Sequence, residues 1–380
     1  MDFSLNDVQQ MVIEEARKFA EKELAPKVEE FDRQGEVNLA ALKELGKIGY
    51  LGMLLPEEYG GCQAGAVAYA GSMLELAKGD PGMAVTVGVH NSVVNETILR
   101  YGSDAQKEKF LPKLASGEFI GCFALTEVNA GSDPAALEAW AERRGEHYVL
   151  NGTKVFVTNG GIADVVIVFA LTDREKKAKG ISAFLLEKGT EGLRVGKHED
   201  KMGIRSASCT ELIFEECQLS PAALLGEENK GLKIALSVLD GGRIGIAAQA
   251  IGIAEAAFQD ALLYAKQRVL GDKPIADFQA IRFMLADMAT EIEVAKAMLF
   301  KAAWLKEAGQ VPFTQEASMA KLFASEMSHR VCHKALQIHG GYGYMKDYRI
   351  ERLYRDQRIT EIYEGTSEIQ RHIISRNLLG

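Results

Sequence analysis

The sequence lacks the features of proteins that are stabilised by disulfides or by structural metal ions, and those of membrane proteins. It contains five cysteines and eight prolines in 380 residues. The cysteines are scattered and form no C-x-x-C pair, so we expect buried thiols instead of a disulfide framework or a structural zinc site; they are Cys62, Cys122, Cys209, Cys217 and Cys332. No run of 18 apolar residues occurs, which predicts that no segment spans a membrane.

An excess of positive charge is also lacking. The formal net charge is −9, which argues against a nucleic-acid backbone or an anionic membrane surface as a partner. The first 24 residues have neither the basic and apolar regions of a signal peptide nor the acid-poor composition of a transit peptide. We therefore predict a cytoplasmic protein.

The composition is that of a globular protein, with 47% hydrophobic and 26% charged residues, and the length predicts two or three packed zones. Helical spacing of apolar residues predicts helices in residues 1–120, with Ser4 capping the first and Asp80 opening another. Residues 121–225 contain short apolar runs typical of strands. Within them, Asn151-Gly152 predicts a hairpin turn.

Residues 226–380 are predicted to be helical again. The apolar stripe that follows Pro274 has the 3-4 spacing of a helix packed on one face, and four such segments favour a four-helix bundle. The predicted fold class is therefore α+β, with a helical domain, a β-rich domain and a second helical domain in that order.

The strongest local signal for chemistry is the segment IYEGTSEIQ at residues 362–370. Ser367 and Gln370 fit a capping box, which predicts that the last helix begins there after a sharp turn at Gly365. Glu364 would then lie beside apolar neighbours, where burial raises the pKa of a carboxyl group and suits it to act as a general base. A solvated glutamate in a turn is the alternative, and this segment alone leaves both open.

Four further segments extend this signal over nearly the whole chain. They are CFALTEVNAGSD at 122–133, KVFVTNG at 154–160, LDGGR at 239–243 and QIHGGYG at 337–343. Together with 362–370, in this order, they resemble the acyl-CoA dehydrogenase family. The resemblance implies an N-terminal α-helical domain (1–120), a middle β-barrel (121–225) and a C-terminal four-helix bundle (226–380).

The resemblance also implies a reaction. Family members use FAD to convert an acyl-CoA thioester into the trans-2-enoyl-CoA, pass electrons to an electron-transferring flavoprotein, and usually form homotetramers. Glu364 would take the α-proton, its backbone N–H would help to polarise the thioester carbonyl, and the β-hydride would pass to the flavin. Chemistry alone requires a cofactor, because no side chain accepts a hydride. No G-x-G-x-x-G follows a strand, which disfavours a nicotinamide Rossmann site.

The remaining site residues are implied by the same resemblance. Those expected to bind FAD are Phe123, Leu125, Thr126, Phe156, Thr158, Arg268, Gln279, Gln337, Gly341, Thr366 and Glu368, with Gln337 and Gly341 supplied by another subunit. Those expected to bind the acyl-CoA are Ser132, Asp240, Arg243, Tyr363 and Gly365. No metal is implied.

The sequence departs from the family pattern beside the cofactor. Phe156 stands where Trp is usual, so an aromatic face is kept in altered packing. Val128-Asn129 replaces Pro-Gly. Gly271 stands where a cofactor-contacting Phe is expected, so we expect weaker FAD binding or a substitute contact from Leu270.

Several alternatives stay open at this stage. The enzyme could act on a cyclic, aromatic or dicarboxylic acyl-CoA, although no arginine occurs at residues 90–92 to clamp a second carboxylate. It could reduce an enoyl-CoA or pass electrons to oxygen, and a non-catalytic nucleic-acid-binding flavoprotein is disfavoured by the acidic charge. Neither the acyl chain nor the direction of reaction can be read from the motifs.

Three further groups of residues have a structural interpretation beside a functional one. His90 either shapes the acyl pocket or packs in the core. His329 and His333, four residues apart, are expected to pack and not to bind zinc, since no third ligand accompanies them. The arginines at 349, 352, 355 and 358 are expected to form ion pairs.

Overall fold

Seven α-helices occupy the first third of the computed structural model, which describes residues 4–380. They are α1 (Asp7–Phe19), α2 (Val28–Gln34), α3 (Leu39–Lys47), α4 (Gly65–Gly79), α5 (Pro81–Val89), α6 (Glu96–Tyr101) and α7 (Asp104–Ser116). π-helical turns at Ala20–Leu24 and His90–Asn95 extend α1 and α5. The prediction that the chain begins with a helical region is confirmed.

The helix starts follow local capping chemistry. Asp80 caps α5 as predicted, because its Oδ1 accepts hydrogen bonds from the backbone N–H groups of Gly82 and Met83. The prediction that Ser4 caps the first helix is wrong. Asn6 holds that place, since Asn6 and Gln9 exchange side-chain to backbone hydrogen bonds of 2.8 and 3.1 Å in a complete capping box.

The middle region is a sheet of eight strands. These are β1 (Gly121–Ala124), β2 (Trp140–Arg144), β3 (His147–Thr158), β4 (Val165–Leu171), β5 (Ile181–Glu187), β6 (Leu193–His198), β7 (Cys209–Leu219) and β8 (Leu224–Leu225). Their order is β6-β7-β3-β2-β4-β5-β8, with β1 parallel to β4. Within residues 4–380 the end strands β6 and β8 do not pair, so the sheet is confirmed and the closed barrel is not.

The hairpin predicted at Asn151-Gly152 is wrong. Both residues lie inside the long strand β3, where the register against β7 shifts between Leu150 and Gly152. Gly152 has φ 145°, and a side chain there would overlap Ala139, so the glycine marks a bulge instead of a turn. The chain reverses earlier, at Gly145 with φ 65°, where β2 and β3 form an antiparallel pair.

The C-terminal region has five helices, with a two-stranded ribbon between the first and the second. They are α8 (Gly231–Gln267), α9 (Gln279–Glu307), α10 (Thr314–His339), α11 (Ile350–Gln357) and α12 (Ser367–Leu379); the ribbon joins β9 (Val269–Leu270) and β10 (Lys273–Pro274). The helices α8, α9 and α10 pack on one another, and α12 packs on α10. The helical domain is confirmed, whereas its description as a four-helix bundle stays a prediction.

Helix α8 connects the two helical regions. Most of its length is Ala, Gly and Ile, and its middle is buried against α4, α5 and α10. By length and composition it could span a membrane, but 78% of its most apolar window lies inside the protein, as in the core helix of a globular domain. The small residues let α4 and α5 approach closely, which places their side chains beside the C-terminal turn that carries Glu364.

Candidate active site

Glu364 lies in a tight turn immediately before α12. Its φ is 49° and that of Gly365 is 90°, so two consecutive residues are left-handed and the chain reverses sharply. The capping box predicted for Ser367 and Gln370 is wrong. Thr366 is the cap, because its backbone is extended and its hydroxyl accepts from the Ile369 N–H. Ser367 is already helical.

Gln370 does not form the predicted capping box, and its side chain instead supports the turn. Its Nε2 donates to the carbonyl oxygens of Glu364 (3.2 Å) and Gly365 (2.9 Å). The side chain is fully buried. It therefore holds the turn from the first turn of α12 and leaves the Glu364 side chain free to point away from that helix.

Glu364 is half-buried, and one oxygen of its carboxylate is covered by protein. Its Oε2 is buried without a hydrogen-bond partner, and it lies directly against Gly242 of α8. Burial raises the pKa of this carboxyl group from its ordinary 4.5 to about 7, while the positive charges of Lys321 and Arg243 act in the opposite direction. A carboxylate poised near neutrality is suited to exchange a proton with a weak acid.

A small cavity of about 10 Å³ adjoins this carboxylate. Its lining comes from α4, α5, the π-helical turn and α8: Tyr69, Ala84, Val85, Gly88, Val89, Ser92, Gly242, Gly245, Ile246, Gln249 and Glu364. The Ser92 hydroxyl donates to the Gly88 carbonyl oxygen at 2.8 Å and the Tyr69 hydroxyl approaches it at 3.4 Å. Their polar groups are thus occupied within the wall, so the cavity presents mainly apolar surface.

The structure brings two of the proposed acyl-CoA residues, Tyr363 and Arg243, close to Glu364. Tyr363 is its neighbour in sequence and donates from its hydroxyl to Gln249 Oε1, which fixes the ring beside the cavity. Arg243 forms an ion pair with Asp240, and burial lowers the pKa of the Arg243 guanidinium. Arg243 Nε is buried without a partner.

The other three residues expected on the acyl-CoA differ in their surroundings. Asp240 Oδ2 accepts a hydrogen bond from the Thr314 hydroxyl at 2.5 Å, so the α10 start is tied to α8 beside the cavity. Ser132 is exposed in the turn after β1, on the sheet domain. Gly365 contributes its carbonyl oxygen to the turn, not to the cavity lining.

A second group of predicted residues lies on one part of the sheet. The Val155 N–H donates to the Thr126 carbonyl oxygen at 2.9 Å, which joins the segments of Thr126 and Phe156. Phe156 is 63% exposed and has a left-handed φ of 56°. Phe123 and Leu125 are half-buried beneath, with the Phe123 ring 4.8 Å from that of Phe169. A large aromatic ring held outward in a strained backbone fits a flat ring system packed on it.

The remaining cofactor candidates are spread over exposed surface. Arg268, Gln279, Gln337 and Glu368 are exposed, as is Gly341, and Thr366 is half-buried. Arg268 lies over the ring of Tyr342, with 5.7 Å from Cζ to the ring centroid, so the segments of Arg268 and Gly341 meet. The exposed polar side chains of this group are suited to phosphates and hydroxyls.

Sequence reasoning missed a buried ion pair under the Thr126 segment. Lys154 Nζ donates to Glu127 Oε1 at 2.6 Å and to the Leu125 carbonyl oxygen at 3.1 Å. The Glu127 carboxylate also accepts the backbone N–H groups of Glu138 and Ala139. The sequence did contain a signal for this pair, because Glu127 and Lys154 each lie in an otherwise apolar segment. Charged residues are buried in such segments only when they are paired.

His90 and His329 take part in packing and in hydrogen bonds within the protein. His90 is buried, its Nε2 lies 2.9 Å from the Leu114 carbonyl oxygen, and its Nδ1 accepts the Gly121 N–H at 3.2 Å. Burial lowers its pKa to about 4, so it stays neutral and holds α5 to the sheet. His329 contacts Gln357 Nε2 at 3.0 Å. In the described part of the chain no group of three or more His, Cys, Asp or Glu side chains could hold a metal ion.

The arginine series before the turn at residue 364 forms ion pairs, as predicted. Arg349 makes a two-point contact with Asp260 at 2.6 and 2.8 Å, and Arg355 bonds Asp32 at 3.0 Å. Arg352 and Arg358 pair with Asp356 and Glu361 at longer distances. These contacts fasten α11 to α8 and to the N-terminal region, which fixes the approach to residue 364.

Two features define a class of enzyme: a carboxylate with a pKa of about 7 beside an apolar cavity, and an outward aromatic ring on a neighbouring sheet. The family models for the N-terminal, middle and C-terminal domains of acyl-CoA dehydrogenase match residues 6–118, 122–217 and 229–379. The chain belongs to the acyl-CoA dehydrogenase family and is an FAD-dependent oxidoreductase.

Three similar proteins illustrate the relationship. "Acryloyl-CoA reductase (NADH)" of Anaerotignum propionicum is 48% identical, and the match covers 100% of this chain and 96% of the relative. The butyryl-CoA dehydrogenase structure from Megasphaera elsdenii is 47% identical over 100% of both chains, with a TM-score of 0.98. A chain from work on the "Electron transferring flavoprotein of Acidaminococcus fermentans" is 46% identical over 100% of both chains, also with a TM-score of 0.98.

Proposed function

We propose that this acyl-CoA dehydrogenase acts on short, uncharged acyl groups and that Glu364 is the base that takes the α-proton. The observation that carries the proposal is the buried Glu364 Oε2, which has no hydrogen-bond partner inside the protein. A buried carboxylate oxygen without a partner is unfavourable unless a ligand or a proton completes it. Acyl-CoA dehydrogenation supplies that proton from the carbon next to the thioester.

The residues around the base have separate roles in the proposed reaction. When bound, FAD would supply the hydride acceptor for the β-carbon, which no side chain can provide. Glu364, with a pKa of about 7, is sufficiently basic to take a proton and is still ionised in a substantial fraction near neutral pH. Its backbone N–H, in the left-handed turn, is our candidate for polarising the thioester carbonyl. Thr126, Phe156 and Thr158 would hold the ring of the cofactor, and Arg268 and Gln337 its polar part.

The similarity to a butyryl-CoA dehydrogenase reported above supports a short acyl group, and the chemistry of the cavity lining supports an uncharged one. The cavity of about 10 Å³ holds about one water molecule, so the side chains that line it must move to admit an acyl chain. The lining contains no Arg, Lys or His, so a terminal carboxylate would be buried without a counter-charge. Dicarboxylic substrates are therefore disfavoured.

The assembly and the electron acceptor are further parts of the proposal. A homotetramer is supported by exposed apolar side chains on the C-terminal helices, among them Phe283, Trp304 and Leu379, and by the exposure of Gln337 and Gly341, which another subunit would complete. An electron-transferring flavoprotein is supported as acceptor by the similarity reported above. The closed barrel, the four-helix bundle and the cytoplasmic location remain predictions from the sequence.

The test is anaerobic bleaching of the flavin by a series of saturated acyl-CoAs of increasing length. Wild type should bleach fastest with a four-carbon chain and poorly with long chains. Glu364→Gln should keep FAD and lose the fast phase. Rapid bleaching by Glu364→Gln would exclude Glu364 as the base, and absence of bleaching in FAD-loaded wild type would remove the dehydrogenase proposal for these substrates.

Enoyl-CoA reduction is a second candidate, because a relative named for that direction is 48% identical. The same groups would serve it: Glu364 would return the proton to the α-carbon, and reduced FAD would supply the hydride to the β-carbon. Mixing the reduced protein with short enoyl-CoAs and then with electron donors would separate the directions. Steady turnover with NADH and enoyl-CoA, without turnover in the oxidative direction, would favour the reductase.

A further inference from the structure

A buried lysine reaches the turn that carries Glu364. Lys321 lies in the middle of α10, its residue is 0% exposed, and its Nζ donates to the Gly365 carbonyl oxygen at 2.8 Å. Burying an ammonium group is unfavourable unless an opposite charge or hydrogen-bond acceptors compensate it. The compensation for Lys321 therefore comes from the turn at residues 364–365, which is the turn of the proposed base.

The same carbonyl oxygen is held from two sides. Gln370 Nε2 donates to it from α12 at 2.9 Å while Lys321 donates from α10. Glu364 has φ 49° and Gly365 has φ 90°, and a non-glycine residue keeps a left-handed conformation only where its surroundings fix it. Two donors on the Gly365 carbonyl fix the orientation of the peptide between Gly365 and Thr366. Gln370 Nε2 also donates to the Glu364 carbonyl oxygen at 3.2 Å, so the peptide that follows Glu364 is held as well, and with it the direction of the carboxylate.

The charges around the base come from several elements. The groups facing Glu364 are Lys321 of α10, Arg243 of α8, Tyr69 of α4 and the adjacent Tyr363. Among the cations, Lys321 acts on Glu364 most strongly, and Arg243 is already paired with Asp240. The groups facing Lys321 are Glu364, Arg243, Glu361 and Glu368. Burial lowers the pKa of Lys321 to about 8, and the Glu364 charge opposes this, so the ammonium form persists at neutral pH.

We propose that Lys321 is a positioning residue of the dehydrogenation: its ammonium group clamps the Gly365 carbonyl oxygen, which aims the Glu364 carboxylate, and supplies the buried counter-charge that keeps this carboxylate ionised before proton transfer. The inference rests on the proposed role of Glu364 as base. The proton moves from the substrate α-carbon to Glu364 and, after the product leaves, to water. The Lys321 charge favours that second step and so restores the base.

Three substitutions separate the clamp from the charge. Lys321→Gln keeps a hydrogen-bond donor and removes the charge, Lys321→Arg keeps the charge, and Lys321→Met removes both. Ser325→Ala is the matched control, because Ser325 lies one turn further along α10, is buried, and donates to the Lys321 backbone oxygen at 2.8 Å. It tests whether any disturbance of this part of α10 has the same effect.

The first measurement is the infrared band of the protonated carboxyl group, followed against pH and assigned by its loss in Glu364→Gln. A group that titrates near neutrality is resolved from ordinary carboxyl groups, which titrate near pH 4. Removing a nearby positive charge raises a carboxyl pKa, so Lys321→Gln should move the midpoint upward by about one pH unit. Lys321→Arg and Ser325→Ala should keep the wild-type midpoint.

The second measurement is the pH dependence of anaerobic flavin bleaching by butyryl-CoA. On the acid side, Lys321→Gln should be about tenfold slower than wild type, and it should recover at high pH. Lys321→Met should in addition have a lower limiting rate at high pH, because the turn is no longer clamped. A wild-type midpoint in Lys321→Gln would overturn the proposal and leave Lys321 a packing residue.

Failure of the two proposals can be told apart. If FAD-loaded wild type is bleached by no saturated acyl-CoA, the proposed function fails, while the infrared midpoint still tests the effect of Lys321 on Glu364. If Lys321→Gln does not fold, Lys321→Arg carries the test: a midpoint displaced from wild type would contradict the counter-charge.

Discussion

Gly242 of α8 lies directly against the carboxylate of Glu364. A Cβ atom built on Gly242 would overlap Glu364 Oε2 and stand 2.9 Å from Cδ. The two residues are 122 positions apart in the sequence, and their contact depends on the packing of α8 on the C-terminal turn. This contact leaves the carboxylate no room on the α8 side, so it can only face the cavity.

The first prediction follows from this contact. Gly242→Ala should push the Glu364 carboxylate away from its position and lower kcat for flavin reduction by about a hundredfold, since a displacement of about 1 Å of a catalytic group has effects of that size. Stopped-flow bleaching with butyryl-CoA measures it.

Gly241→Ala is the matched control for that substitution. A Cβ on Gly241 would meet Lys306 Nζ at 2.7 Å, and the end of a flexible lysine side chain can move aside. Its kcat should stay within a few-fold of wild type. Equal loss in both variants would mean that α8 itself is disturbed, and would contradict a specific effect on Glu364.

The second prediction concerns stability and pH. The pKa of Glu364 is about 7 in the folded protein against an ordinary 4.5, so folding favours the protonated form. The destabilisation is absent below the ordinary pKa, grows as the pH rises towards 7, and then stays constant. Glu364→Gln should therefore be more stable than wild type above pH 7, by at most roughly 3 kcal/mol.

Urea unfolding at acid and at alkaline pH measures this difference. Glu146→Gln, a substitution in the exposed turn between β2 and β3, is the control and should change stability by less than about 0.5 kcal/mol. A constant difference between wild type and Glu364→Gln at all pH values would show that Glu364 does not titrate as described.

The third prediction concerns the buried ion pair of Lys154 and Glu127, whose side chains are 0% and 9% exposed. Lys154→Met leaves the Glu127 carboxylate buried without its cation, which should destabilise the protein by about 3–5 kcal/mol and loosen the Thr126 segment, so that FAD is lost more easily. Thermal unfolding and flavin release measure both effects.

Two variants test whether burial determines how much this ion pair contributes to stability. Adding Glu127→Gln to Lys154→Met removes the unpaired charge and should restore part of the stability. Arg144→Met breaks the exposed pair with Glu216 and should change stability by less than about 1 kcal/mol. Equal losses from Lys154→Met and Arg144→Met would contradict the importance of burial.

The fourth prediction concerns the outward ring of Phe156. Phe156→Ala removes an aromatic face worth about 1 kcal/mol in a stacked contact, so the dissociation constant of FAD should rise several-fold. Phe156→Trp should bind FAD at least as tightly as wild type. Val195→Ala, which removes an exposed apolar side chain from β6 of the same sheet, should leave FAD binding unchanged when measured by flavin fluorescence.

Local patterns were sufficient for the element types but not for their details. The helices could be predicted because apolar residues at 3.6-residue spacing mark the buried face of a helix. The turn at Asn151-Gly152 could not, because the same dipeptide serves a hairpin or a bulge, and the pairing of β3 with β7 made it a bulge. Likewise Thr366 and Ser367 are both good caps, and only the backbone shows that Thr366 precedes the helix.

The candidate site shows the same division. The segment at 362–370 locates Glu364, and the order of the five segments along the chain indicates the reaction. Nothing near Glu364 in the sequence indicates that Lys321, Gly242 and Arg243 surround it, since they come from two other helices. The raised pKa depends on that enclosure, because an exposed glutamate in the same turn would keep its ordinary value.

The sequence by itself thus determined the family, the order of helical and sheet regions, the need for FAD and the identity of the candidate base, because these depend on residue types at short range. The tertiary structure decided the environment of that base: which oxygen is buried without a partner, which lysine faces it, and how little room adjoins it. These properties arise from contacts between segments distant in the chain, and only folding brings those segments together.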